Sequence, residues 1–131
     1  MTFTTRALPR DPDVHAPDGS EVRVLASTAR GSMAQFRLVP GGVSSAVVHR
    51  TVEELWFIVA GRGAMWRSLG EDDEVVGLEP GVSLSIPVGT RFQFRATGEE
   101  PLVVVGVTMP PWPGPDEVER IRGPWTPTVF G

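Results

Sequence analysis

Residues 41–61 read GGVSSAVVHRTVEELWFIVAG and hold one of only two histidines in the chain. Small and apolar residues alternate here with the period of a half-buried strand, whose successive side chains point to opposite faces. His49 stands in the first half, Glu54 follows five residues later, and a Gly-x-Gly turn closes the stretch at Gly61 and Gly63. The pattern predicts two strands, about 44–49 and 54–60, with a polar pair at their junction.

The same signature recurs on both sides. EVRVLAS (21–27) and SMAQFRLV (32–39) alternate upstream, and further short strands are predicted at about 63–68, 73–79, 82–86, 91–95 and 102–108. Gly- or Pro-bearing turns separate most of them, as in AGRG, LEPG, IPVG and ATGEEP. Evenly spaced short strands with no helix-period stretch indicate an all-β sandwich or barrel. Residues 1–20 read as an extended arm that lies along an edge strand or a neighbouring subunit, residues 21–109 as the barrel, and 110–131 as a Pro-rich tail. Within the tail, Pro115, the acidic residues after it, and Arg120 and Arg122 predict one helical turn. EDDE (71–74) reads as a solvated hairpin loop.

Composition narrows the function. At 131 residues the chain fits one domain with one core. A net charge of −4 and the lack of any Lys/Arg run argue against nucleic acid as a partner. No cysteine is present, so there are no disulfides, thiolate metal ligands or cysteine nucleophile, which suits a reducing compartment. The first residues lack a signal-peptide pattern, and no apolar run approaches the roughly 18 residues of a membrane helix. A cytoplasmic protein without membrane contact is expected.

Two motifs resemble those of the cupins, small double-stranded β-helix (jelly-roll) barrels. The first cupin motif has Gly, five residues, His-x-His, three or four residues, Glu, six residues and Gly; here Gly41, Val47, His49, Glu54 and Gly61 fall at those places. The second has Gly, five residues, Pro-x-Gly, two residues, His, three residues and Asn; Gly81, Pro87 and Gly89 match, while Phe92 and Ala96 replace the last two. The resemblance implies an inward-facing metal site of three histidines and the glutamate. This chain keeps His49 and Glu54 and has Val47 and Phe92 in place of the other two ligands. A divalent Fe, Mn, Ni or Zn ion would need further donors from His15, Glu53, Gln93 or a neighbouring chain.

With the motif positions facing inward, strand parity places Trp56 and Ile58 beside Glu54, Phe94 beside Phe92, and Met65 across the Gly61 turn. These residues and Val47 would wall an apolar pocket with His49 and Glu54 as its polar centre; Arg91 either reaches the mouth to hold a carboxylate or phosphate or, as the favoured reading of the two, serves surface solubility. The alternative is that the same side chains simply fill the barrel. His49 and Glu54 are either a buried hydrogen-bonded pair or a general acid–base pair.

Trp112 and Trp125 would pack on the barrel's outer face or across a subunit interface, and the exposed edges of a jelly roll favour a homodimer. The favoured reading is a barrel that binds a small organic molecule. Its alternatives are a metal-free isomerase, epimerase or cyclase using His49 as acid/base, and a metal-dependent dioxygenase or isomerase with a reduced ligand set.

Overall fold

The computed structural model describes residues 2–130. Their strands are β1 (Val14–His15), β2 (Glu21–Ser27), β3 (Ser32–Leu38), β4 (Ala46–His49), β5 (Glu53–Ala60), β6 (Gly63–Leu69), β7 (Asp72–Leu78), β8 (Ser83–Ile86), β9 (Arg91–Ala96), β10 (Leu102–Met109) and β11 (Val118–Ile121). They form two antiparallel sheets, a six-stranded one in the order β1-β2-β3-β10-β5-β8 and a five-stranded one in the order β11-β4-β9-β6-β7. From β3 to β10 the chain crosses between sheets at every connection except β6–β7, which winds it into a jelly-roll barrel. No helix among the described residues is long and apolar enough to cross a membrane.

Alternation decides which side chains enter the barrel. Along β5, Glu54, Trp56 and Ile58 are buried while Glu53, Leu55, Phe57 and Val59 are exposed. On the opposite sheet Val47 pairs with Phe92, and Met65 with Phe94, so their side chains share the inner face. Leu38, Ile86, Leu102 and Val104 complete a single core cluster with them.

Two glycines are fixed by close approach. Gly61 turns β5 into β6 at φ 81°, and a Cβ there would lie 2.2 Å from the Pro101 carbonyl oxygen. At Gly106 a Cβ would meet the Phe36 ring at 2.5 Å, so the missing side chain makes room for Phe36 and Trp56 to pack at 5.4 Å over β10.

The structure corrects the sequence reading in two places. Only Pro115–Glu117 form a turn of helix, of the 3-10 type; Val118–Ile121 instead extend as β11 along the free edge of β4. That edge satisfies the backbone of a segment bounded by the β-branched residues Val118 and Ile121. The EDDE segment is not a loop, because Asp72, Asp73 and Glu74 belong to β7. Asp73 accepts a hydrogen bond from Trp66 Nε1 at 3.1 Å, and Glu74 pairs with Arg67 at 2.7 Å.

The arm runs along the open edge of the six-stranded sheet. β1 pairs with β2, and Arg23 donates to the Pro9 and Arg10 carbonyls. The tail covers the outer face of the five-stranded sheet. There Gln93 donates to the carbonyls of Ser44 and Trp125 and accepts from the Trp125 N–H, while the Arg95 guanidinium lies 4.2 Å from the Trp125 ring centre.

Candidate functional site

His49 is the last residue of β4 and Glu54 the second of β5, so the loop Arg50–Val52 sets their separation. A single side chain fixes that loop. Glu117 accepts hydrogen bonds from the Thr51 N–H at 2.6 Å, the Val52 N–H at 3.0 Å and the Thr51 hydroxyl. Its backbone carbonyl takes the Arg50 N–H, and Arg50 Nε donates to the Asp116 carbonyl. Burial works to raise the Glu117 pKa, but the donors from Thr51 and Val52 outweigh it and hold the carboxylate below its ordinary range. Glu117→Ala is expected to cost about 1–2 kcal/mol in urea unfolding, because buried donors lose an ionised acceptor; Glu117→Gln should recover part of that loss.

The two site residues lie together inside the barrel. His49 Nδ1 stands 3.3 Å from Glu54 Oε2, yet it makes no hydrogen bond. The other carboxyl oxygen of Glu54 accepts from Trp56 Nε1 at 3.1 Å. Burial pushes the His49 pKa down to about 4, with Glu117 acting weakly the other way. Burial also pushes Glu54 up to about 8, opposed by the Trp56 hydrogen bond and assisted by Asp18. Near neutral pH the imidazole and the carboxyl are therefore both uncharged.

Aromatic rings enclose the pair. Phe92 and Trp112 meet the His49 ring at centroid distances of 5.3 and 5.4 Å, and Trp56 meets Phe94 edge-on at 5.0 Å. Trp112 belongs to the tail and closes this end of the barrel; it is 37% exposed, and its backbone N–H donates to Ser32 Oγ at 3.0 Å. The predicted walls Val47, Ile58, Met65, Phe92 and Phe94 are at most 1% exposed, so the interior is closely filled in this conformation. Two surface hollows, of about 350 and 170 Å³, lie away from the pair, one beside Phe3 and Met33 and the other beside His15 and Phe130.

Arg91 stands at the surface. It is exposed, with strand parity opposite to Phe92 and Phe94, and does not join the interior cluster. Arg67, two residues along β6 from the inward Met65, sits on the inner row opposite Phe92. It bridges the two sheets by donating to the Ser85 carbonyl at 2.7 Å, and its buried Nε has no partner.

Thr90 is a residue the sequence reading missed. The β4–β9 register pairs Val47 with Phe92 and Val48 with Arg91; Thr90 comes just before β9 and His49 ends β4, so the antiparallel pairing brings both to one end of the barrel. Thr90 is 2% exposed and its hydroxyl has no hydrogen-bond partner. Thus two of the buried polar groups without a partner, His49 Nδ1 and Thr90 Oγ1, fall at the same end of the barrel. Its only sequence signal was parity with Phe92, two positions beyond it.

The donor set does not fit the metal that the cupin resemblance implies. No three His, Cys, Asp or Glu side chains among the described residues come together as a metal-holding group. The proposed supplements stand elsewhere: His15 is exposed on β1, Glu53 faces outward, and Gln93 is held by the tail. His49 and Glu54 remain as two donors where a divalent ion commonly takes at least three.

Comparison with known proteins agrees with this architecture. The structure superposes on BH2720 of Bacillus halodurans with a TM-score of 0.65 at 19% identity, covering 78% of this chain and 76% of that one. An uncharacterised conserved protein with a double-stranded β-helix domain from Klebsiella pneumoniae subsp. pneumoniae gives 0.64 at 17% identity, covering 91% of each chain. Oxalate decarboxylase of Bacillus subtilis, an enzyme with Mn(II) centres, gives 0.64 at 17% identity over 75% of this chain, which spans only 27% of that longer protein. At these identities the likeness shows the fold alone. No curated protein matches the sequence. The cupin domain family model matches residues 34–108, more than half of the chain, and the protein therefore belongs to the cupin family.

Proposed function

We propose that the protein binds a small, uncharged organic molecule, aromatic or largely apolar, at the His49 end of the barrel. The observation that carries this reading is the buried, unpartnered His49 Nδ1 beside Glu54. Buried polar groups are nearly always satisfied, and one left open among aromatic rings suits a ligand that supplies the missing partner. His49 would accept a hydrogen bond, while Glu54 and Thr90 could donate one. Because His49 and Glu54 are neutral near pH 7, a ligand such as a phenol or an amide fits better than an anion. Entry requires Trp112 to swing away from His49.

Calorimetric titration with phenol, benzamide and benzoate tests this reading. A ligand of under ten heavy atoms is expected to bind with a Kd on the order of 0.1–1 mM. Phenol or benzamide should bind more tightly than benzoate, and His49→Phe should remove the binding. If neither the wild type nor a Trp112→Ala variant saturates with any of the three, the barrel end is a filled core and the reading fails.

One observation favours a second reading, a metal-free acid–base enzyme. A protonated carboxyl beside an unprotonated imidazole is the arrangement from which a proton is given at one point and taken at another. The mark of this reading is turnover of a proton-transfer substrate that His49→Ala abolishes while the fold is kept.

A further inference from the structure

We propose that residues 110–114 form a strap that opens and closes the His49 end of the barrel, with the Ser32 hydroxyl as its latch. This rests on the binding reading above, and it names the bond that must break before a molecule reaches His49. The sequence PPWPG leaves the segment little to hold it. Proline has no backbone N–H, so Trp112 supplies the one backbone donor of residues 110–113. That donor goes to Ser32 Oγ at 3.0 Å, and no other hydrogen bond fixes 110–113 among the described residues. Ser32 Oγ is bonded in turn to Thr108 Oγ1, and the two residues are register partners on β3 and β10. Thr108 is buried and pairs on its other side with Glu54, so the latch lies in the same layer of the barrel as the site.

Firm anchors lie on both sides of this weakly held segment. Upstream, Met109 is still paired with Glu53 on β5; downstream, Glu117 holds Thr51 and Val52, and β11 runs along β4. Between them Gly114 has φ 131°, and a Cβ there would meet nothing within 4 Å, so this glycine serves the bend of the backbone and not close packing. The Trp112 indole rests edge-on against His49 and is not part of the core cluster. One neutral hydrogen bond and a partly exposed ring make the strap the element of this end with least to lose on opening. Ser32 also lines the hollow beside Phe3 and Met33, so water reaches the latch from outside and takes over its bond as the strap lifts. Lifting uncovers the His49 ring, and relatching seals it.

Two measurements test the strap without any bound molecule. The first is hydrogen exchange of the Trp112 backbone amide by NMR, expected to be faster than that of the core amides of β5 by roughly 100-fold or more, because it opens locally. Ser32→Ala should speed it by about fivefold, the factor set by one neutral hydrogen bond, and leave the β5 amides unchanged. Thr108→Val, which keeps the side-chain shape, should act in the same direction and serves if the alanine impairs folding. The second is acylation of the two histidines by diethyl pyrocarbonate, read by mass spectrometry. His15, on the exposed β1, should react at once, and His49 slowly in the wild type and about fivefold faster in either variant. A Trp112 amide that exchanges only as slowly as the β5 core overturns the proposal, since the strap would then open only on global unfolding. So does a Trp112 amide or a His49 ring whose rate is the same in the wild type and both variants. Faster exchange and faster acylation in a protein that binds none of phenol, benzamide and benzoate would uphold the strap and sink the binding reading alone.

Discussion

Glu54→Gln is expected to abolish most of the loss of stability that the burial of Glu54 imposes between pH 6.5 and 8. In the folded protein Glu54 keeps its proton up to about 8, against an ordinary value of 4.5, and His49 stays unprotonated down to about 4, against 6.5. The folded pair therefore carries one proton across this whole interval. The unfolded chain carries two of these protons below 4.5, one between 4.5 and 6.5, and none above 6.5. Stability rises with pH where the unfolded state binds more protons and falls where it binds fewer. The pair thus gives a level region between 4.5 and 6.5, a decline toward acid, and a decline of about 1.4 kcal/mol per unit above 6.5. By pH 8 the loss is about 2 kcal/mol. Glutamine keeps an acceptor for Trp56 Nε1 but has no proton to lose, so urea unfolding of the variant should show no decline from this position between pH 6 and 8. Equal losses in both proteins would mean that Glu54 ionises in its ordinary range despite its burial.

Val47→His combined with Phe92→His is expected to create a metal site. Val47 and Phe92 are register partners on β4 and β9, Val47 shares a face with His49, and the Phe92 ring lies 5.3 Å from the His49 ring. Two further imidazoles would bring the cluster to four donors with His49 and Glu54, which suits Zn or Ni. Without metal the variant should be less stable than the wild type by about 3 kcal/mol, since an aromatic ring and a valine are replaced by buried polar rings. An ion at 1,000 times its Kd would return about 4 kcal/mol. The expected result is one equivalent of metal per chain by elemental analysis, and a melting temperature that rises on adding metal in the variant alone. A folded variant that takes up no ion would show that the four positions do not converge.

The sheet framework was readable because alternation is a short-range signal. The residues around Glu54, Trp56 and Ile58 announce their inward face within a few positions, and the motif spacing joined β4 and β5 to β9. The features that were not readable depend on distant chain segments. Glu117 clamps a loop 66 residues away, and nothing in PGPDEVERI distinguishes it from a solvated acid. β11 is a four-residue strand with β-branched residues only at its ends, and it forms where β4 offers an open edge. Thr90 is a turn residue in the run PVGT, its N–H donating to the Pro87 carbonyl, and only the antiparallel pairing of β4 with β9 brings it to the His49 end of the barrel.

Trp112 gives the protein a built-in optical reporter. Its indole is partly open to water and meets the His49 imidazole at 5.4 Å, while Trp56 is fully enclosed beneath it. Indole emission shifts in colour with the polarity of its surroundings and dims beside a proton donor. A molecule that lifts the strap from His49 would therefore change the light from Trp112, and one seated beside Glu54 would also meet Trp56, whose Nε1 donates to that carboxyl. Occupancy of the barrel could then be followed in the unlabelled protein, with Trp112→Phe as the control that lacks the strap's share of the signal.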